Sequence, residues 1–487
     1  MIPVFLNEMK YEYDIHSLVK AFFPSEDVKV VPEETRNETA LTEWGFLVQF
    51  DSDRISVCCM RPEQTDVKKT CPVLDIDRIA VKNCLKGLLY HLLAEVTGRK
   101  LPWGDLTGIR PTKIPLALLE QGKNEDEIRS FMKDSYFVSP EKIDLSIEIA
   151  KREQKILAPI HYEKGYSLYI GIPFCPTTCL YCSFTSYPIV SYKKRVSEYL
   201  DALEREMEFT SKIYQNKILD TVYIGGGTPT TLEPDELHRL LSSIEHYFDL
   251  SQVKEFTVES GRPDSITLDK LLVLKQHGIT RISINPQTMK DETLKIIGRH
   301  HTVEQTLDAF SLARNAGMEN INMDLIMGLP GETIEDVAHT LDVVKTLRPE
   351  SLTVHSLAVK RASHLNEWME KNGRDSMHNT PEMMNLCERA AREMNLLPYY
   401  LYRQKNMAGN FENVGYAKED MFGLYNILIM EEKQTIIALG AGTITKRVYL
   451  DGRIERCDNV KDVALYIEKI DEMIDRKKKL LNNTCSG

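Results

Sequence analysis

Between residues 165 and 355 the chain repeats one pattern: a short apolar strand, a polar or glycine-rich turn at its end, then a helix. Residues 167–172 run into a cysteine-bearing loop, 221–224 end in Gly225-Gly226-Gly227, and 255–258 end in Glu259. Helices that stop at Gly278 and Gly317 feed the strands 281–284 and 321–326, and a sixth strand is expected at 352–355. Glycine suits a helix stop because it accepts a left-handed backbone. Strand-then-helix units in series predict an α/β fold with a parallel sheet. Each polar motif falls at the C-terminal end of its strand, the end at which α/β barrels build active sites.

The flanks read differently. Residues 1–155 carry strand-like runs at 44–50 and 54–60, then a helix whose apolar stripe is Val81, Leu85, Leu88, Leu89, Leu92, Leu93 and Val96, with Gly98 as its stop. The turn 106–113 breaks that pattern, and the stretch holds no catalytic constellation, so an N-terminal α+β domain of unassigned role is expected. A barrel domain over 156–375 and a small C-terminal α/β region over 376–487, covering the barrel, complete the expected organisation. The late region has a strand followed by a glycine turn over 436–445 and a closing helix lined by Val463, Ile467, Ile470 and Ile474. A chain of 487 residues suits two or three such domains.

The net charge of −11 argues against nucleic acid as a partner. No apolar run approaches the roughly 20 residues of a membrane span, and no basic segment precedes an apolar one at the N-terminus. A cytoplasmic setting is expected. Of ten cysteines, Cys58, Cys59, Cys71 and Cys84 lie early and Cys387, Cys457 and Cys485 late; only Cys175, Cys179 and Cys182 form a tight set. In a long cytoplasmic chain such a set indicates metal or redox chemistry rather than a disulfide scaffold, and Cys58 and Cys59 are expected as buried thiols. Zinc and iron–sulfur clusters both take thiolates. A structural zinc would want a fourth nearby ligand, and none stands in the loop. Three ligands on a four-iron cube leave one iron open to a small molecule.

Glu259 ends its strand in Thr257-Val258-Glu259-Ser260, where a carboxylate would attract a cation. Asp324 lies in Asn322-Met323-Asp324-Leu325-Ile326-Met327-Gly328-Leu329-Pro330, and so apolar a strand obliges it to find a partner. Gln287 and Arg299 follow later strand units, and His300 and His301 beside Arg299 are expected at the surface.

The spacing Cys175-Pro176-Thr177-Thr178-Cys179-Leu180-Tyr181-Cys182, after Tyr169-Ile170-Gly171-Ile172-Pro173-Phe174, resembles the radical S-adenosylmethionine (SAM) signature. Together with Gly225-Gly226-Gly227-Thr228-Pro229-Thr230, Gln287, Gly298-Arg299-His300 and residues 324–330, it resembles the oxygen-independent coproporphyrinogen III oxidase (dehydrogenase) family. Thr107-Gly108-Ile109-Arg110-Pro111 and the extra N-terminal domain resemble one branch of it. The resemblance implies a partial (β/α)6 radical SAM barrel and a [4Fe–4S] cluster on Cys175, Cys179 and Cys182. It implies SAM contacts from Tyr169, Gly226, Thr228 and Glu259. Tyr181, Gln287, Arg299, Asp324 and Ala358 match positions that hold a second SAM.

The implied reaction oxidatively decarboxylates two propionates of coproporphyrinogen III to vinyl groups in haem biosynthesis. Its electron comes from a low-potential donor such as flavodoxin or ferredoxin. Phe184 stands where members of established activity carry a further cysteine, a departure shared with haem-chaperone relatives, while residues 408–416 lack the late His and Trp of those relatives. With about forty residues after Thr443, the chain is expected to lack most of the helical C-terminal domain that longer members carry. A haem-binding chaperone that keeps the cluster, or an enzyme acting on another tetrapyrrole, therefore stands beside the dehydrogenase.

Overall fold

The computed structural model describes residues 1–24, 26–38, 44–62, 64–72, 77–108, 110–360, 363–373, 377–404, 407 and 411–482. Ile109, residues 408–410 and Cys485, named above, lie outside the described residues. The chain forms two units: Met1–Lys151 with Leu401–Glu412, and Arg152–Tyr400 with Asn413–Gly487. This grouping differs from three consecutive regions, because residues 401–412 join the first unit and most of 376–487 joins the second.

The first unit is built on five strands, β1 (Ile2–Leu6), β2 (Val28–Pro32), β3 (Gly45–Phe50), β4 (Arg54–Met60) and β5 (Val67–Pro72), in the order β2-β1-β3-β4-β5. Alternation along β1 sends Ile2, Val4 and Leu6 into a core with Ile15, Leu18 and Phe22 of one helix and Leu85, Leu89 and Leu92 of another, Arg78–Thr97. Gly98 ends that second helix at φ 65°, as its sequence predicts. Cys58 and Cys59 are buried, and burial pushes the Cys59 thiol up to about 11. β5 lies against the helix Arg78–Thr97, and this packing brings the Cys71 and Cys84 sulfurs together.

The returning segment Leu401–Glu412 brings charge into this unit. Glu412 accepts hydrogen bonds from the Trp103 indole (2.7 Å) and from the Lys142 ammonium (2.5 Å), and both Trp103 and Glu412 are almost wholly buried. Arg403 donates to the Leu106 carbonyl and lies over the Trp103 ring. Glu412→Ala strands a buried ammonium and an indole N–H, so a loss of about 3–5 kcal/mol is expected in denaturant unfolding followed by Trp103 fluorescence.

The second unit carries an 11-stranded sheet. Its parallel centre is β6 (Gly165–Ile172), β9 (Ile218–Gly226), β10 (Glu255–Glu259), β11 (Arg281–Ser283), β12 (Ile321–Met327) and β13 (Ser351–Ser356). The short strands β7 (Phe174–Cys175) and β8 (Tyr187–Pro188) pair with each other. Late in the chain, β14 (Leu397–Tyr402) and β15 (Asn413–Ala417) extend the β13 edge, and β16 (Ile436–Leu439), β17 (Ile444–Val448) and β18 (Ile454–Asp458) extend the β6 edge. The partial (β/α)6 barrel is thus present, and the late chain enlarges its sheet. Thr302 and Thr333 start the helices Val303–Asn315 and Ile334–Leu347 with reciprocal capping boxes. The expected closing helix is two, Val463–Glu468 and Ile470–Asn482.

The register divides this sheet by polarity. Residues paired across strands share a face, and steps of two keep it. Tyr169 pairs with Tyr223, Tyr223 with Thr257, Glu259 with Ser283, Ser283 with Asn322, and Asp324 with Thr353. One face is therefore polar from β6 to β13. The other carries Leu168, Ile170, Val222, Ile224, Val258, Ile282, Met323, Leu325 and Leu352, all fully buried. A polar inner face is a surface for a polar ligand.

Candidate functional site

Stacked tyrosines floor the inner face. Tyr223 lies 4.4 Å from Tyr425 and 6.1 Å from Tyr169, centroid to centroid, with the rings near parallel. Tyr425 arrives on the helix Leu424–Glu431, whose first two N–H groups donate to the buried Glu255 carboxylate. Above this floor the Tyr223 hydroxyl donates to Glu259 Oε1 at 2.5 Å. Burial pushes the Glu259 carboxyl up to about 7, although the tyrosine bond opposes that shift.

Each glycine of the 225–227 run faces a neighbour at close range. A Cβ on Gly225 would stand 2.9 Å from the Glu259 carboxylate, and one on Gly226, at φ 104°, would stand 3.3 Å from the Tyr169 hydroxyl. One on Gly227 would fall 2.5 Å from the Phe174 carbonyl and 2.8 Å from that of Ile172. Those are backbone atoms that cannot swing away. Gly227→Ala should displace the strand leading into the cysteine loop at a cost of about 1–3 kcal/mol. The expected result is a folded protein by circular dichroism that retains less iron after anaerobic reconstitution.

The cysteine loop is anchored at both ends. Thr228 donates its N–H to the Phe174 carbonyl (2.6 Å), and its hydroxyl meets the Cys175 sulfur at 3.5 Å. Leu180 N–H bonds to Ile297 O (2.9 Å), and the Thr177 hydroxyl bonds to Gly298 O (3.1 Å). Arg262, which the sequence reading passed over, donates to Thr177 and to the Cys179 sulfur. Arg299 is buried and donates to Asn285 O (2.5 Å) and Gly261 O (3.3 Å), with Tyr181 and Cys179 as its electrostatic neighbours. Burial works against its charge, and these two neighbours restore it. Gln287 holds a left-handed φ of 68°, and its N–H bonds to Asp324 O (2.9 Å).

Asp324 has the partners its apolar strand demanded. Burial alone would raise its carboxyl, but His355 at 3.7 Å and Asn322 at 2.7 Å, with Thr353, hold it below the usual range. Ala358 lies buried just past β13. His301 corrects the expectation of a surface residue. It is 3% exposed, and burial pushes its imidazole down to about 3, so it stays neutral.

These residues fit a thiolate-held cluster with a polar organic ligand. Three thiols share one loop, and among the described residues no three of His, Cys, Asp or Glu gather closely enough for a single ion. The Oγ atoms of Ser260 and Ser283, Asn285 Oδ1, Gln287 Oε1 and Arg299 Nε are buried without a partner among the described residues. Each such atom costs about 1–3 kcal/mol unless something polar meets it. Tyr223, Tyr425, His355 and Arg262 join the site only through strand register and long-range packing.

Comparison with known proteins agrees. The Radical SAM superfamily model matches residues 169–344. The oxygen-independent coproporphyrinogen-III oxidase-like protein HemZ of Bacillus subtilis (strain 168) is 44% identical over 407 residues, covering 82% of this chain and 81% of the relative. The heme chaperone HemW of the same strain is 34% identical, over 63% of this chain and 76% of its own. The solved coproporphyrinogen III oxidase (HemN) of Escherichia coli shares the fold at TM-score 0.51 and 22% identity, over 66% of this chain and 72% of that one. Fold and site define a radical SAM protein, a superfamily whose cofactors are a [4Fe–4S] cluster and SAM. Within it, the chain belongs to the oxygen-independent coproporphyrinogen III oxidase-like family of HemZ and HemN. No helix among the described residues is long and apolar enough to cross a membrane.

Proposed function

We propose that this protein converts two propionates of coproporphyrinogen III to vinyl groups by oxidative decarboxylation. The observation that carries the reading is the set of partnerless polar atoms at the strand ends, beside Glu259 and the three-thiol loop. The likeness to HemZ supports the substrate class. Cys175, Cys179 and Cys182 would hold the cluster. Tyr169, Gly226, Thr228 and Glu259 hold SAM; Tyr181, Gln287, Arg299, Asp324 and Ala358 hold a second. When bound, cluster and SAM supply a radical able to take hydrogen from substrate.

The chain's own residues position and charge the site. Glu259, fixed by the Tyr223 hydroxyl, attracts the SAM ammonium, and the glycine run lets the backbone approach it. To become a vinyl group each propionate would lose CO2, one hydrogen atom to the radical that the bound cofactor would supply, and one electron to an external acceptor. A flavodoxin or ferredoxin supplies the priming electron. Anaerobic incubation with coproporphyrinogen III, SAM and reductant should yield protoporphyrinogen and 5′-deoxyadenosine. Deoxyadenosine without tetrapyrrole conversion would reject the substrate and keep the class.

One observation favours a second reading, haem delivery. Phe184 is 69% exposed, and the Lys360 ammonium sits 5.5 Å from its ring centroid. An exposed aromatic face beside a cation suits a flat ring bearing carboxylates. Stoichiometric haem transfer without turnover would support this reading, and absence of haem binding would remove it.

A further inference from the structure

The three thiols are not equally served by their surroundings. Cys175 meets a neutral hydroxyl, whereas Cys179 meets Arg262, a cation 2% exposed. The Arg262 guanidinium is held by a forked ion pair with Asp264, Nε to Oδ1 at 2.9 Å and Nη2 to Oδ2 at 2.7 Å. That fork occupies one edge of the guanidinium and fixes its plane. The remaining nitrogen, Nη1, is left facing the cysteine loop, 3.0 Å from Thr177 Oγ1, 3.4 Å from Thr177 O and 3.7 Å from Cys179 Sγ. Arg262 stands three residues past Glu259, on the loop after β10, so the strand that presents the carboxylate also aims the cation.

Hydrogen bonds to the sulfurs of an iron–sulfur cluster and nearby charge are two of the levers that set its reduction potential. Accepting an electron adds negative charge to a centre that three thiolates have already made anionic. A buried N–H cation against one of those sulfurs favours the reduced form, and burial keeps solvent from screening it.

We propose that Arg262 is a positioning residue that raises the reduction potential of the cluster through Cys179, with Asp264 aiming and moderating its charge. This rests on the assignment of Cys175, Cys179 and Cys182 as cluster ligands. No bond is made or broken in the step concerned: one electron passes from an external low-potential one-electron donor of the flavodoxin or ferredoxin class. Arg262 widens the range of donors able to deliver it.

Arg262→Gln and Asp264→Asn, reconstituted anaerobically in the full chain, test this against a purely structural role. Iron and sulfide are counted first, and the potential is then measured by a redox titration followed by electron paramagnetic resonance, without SAM. Opposite shifts are expected, more negative for Arg262→Gln and less negative for Asp264→Asn, which leaves the cation without its counter-charge. With reduced flavodoxin, Arg262→Gln should cleave SAM about tenfold more slowly or worse, and titanium(III) citrate, a stronger reductant, should restore the rate. An unchanged potential in a fully loaded Arg262→Gln protein, or a shared direction of shift, overturns the proposal. If Arg262→Gln loads no cluster, Asp264→Asn decides, and no upward shift there overturns it. A wild-type chain that holds no four-iron centre would instead reject the ligand assignment.

Discussion

Cys179→Ala is expected to leave a folded protein that holds no intact four-iron cluster and cleaves no SAM. The thiol lies in the middle of the loop, 9% exposed, with its neighbours tied to Ile297, Gly298 and Thr228 by bonds that do not involve its sulfur. Removing the sulfur therefore leaves the anchors of the loop in place. It deletes one of the three ligands proposed for the cluster. Iron and sulfide analysis after anaerobic reconstitution measures the first loss, and chromatographic assay of 5′-deoxyadenosine measures the second. Persistent SAM cleavage by this variant would remove the central assignment.

Glu259→Gln should move affinity and stability in opposite directions. In the proposed role, Glu259 gives the SAM ammonium a charged hydrogen bond worth about 1.5–3 kcal/mol, and its loss should raise the Kd for SAM about 10–100-fold. Without SAM the variant should be the more stable protein at pH 8. The folded-state pKa, about 7, stands above the ordinary 4.5. The folded state therefore binds more protons than the unfolded one between those values, and stability falls as pH rises through the window. Gln carries no such charge, which should recover on the order of 1–3 kcal/mol above pH 7. Thermal melts across pH 5–8 check the stability, and titration calorimetry checks the affinity; equal melting curves for both proteins would contradict the picture of Glu259 as a costly buried charge.

The barrel was legible because its signals are local. Short apolar strands ending in polar turns mark the units, and two of the helices stop at Gly278 and Gly317, which both take the left-handed backbone their position requires. The cysteine loop and Glu259 were legible for the same reason. Asp324 needed one more physical step, since an isolated carboxylate in an apolar strand predicts partners without naming them; Asn322 and His355 are those partners. What stayed hidden depends on alignment between strands. Tyr223 is one aromatic among many until register sets it beside Tyr169 and under Glu259. Arg262 carries no motif, and its meaning lies in a loop some eighty residues earlier in the chain. His301 looked like a surface residue because nothing in Arg299-His300-His301 tells which side chain turns inward. The approach of Cys71 to Cys84 likewise required knowing that β5 lies along a helix flank.

The return of Leu401–Glu412 to the first unit has a consequence for the timing of synthesis. Lys142 and its partner Glu412 are 270 residues apart. At about 5–20 residues per second, a ribosome needs roughly 15–50 s between them. Through that interval the nascent N-terminal unit carries Trp103 and Lys142 without their carboxylate, while every strand from β6 to β13 emerges behind it. The first part of the chain to be made is thus among the last to be finished, and a chaperone that shields it would act during translation.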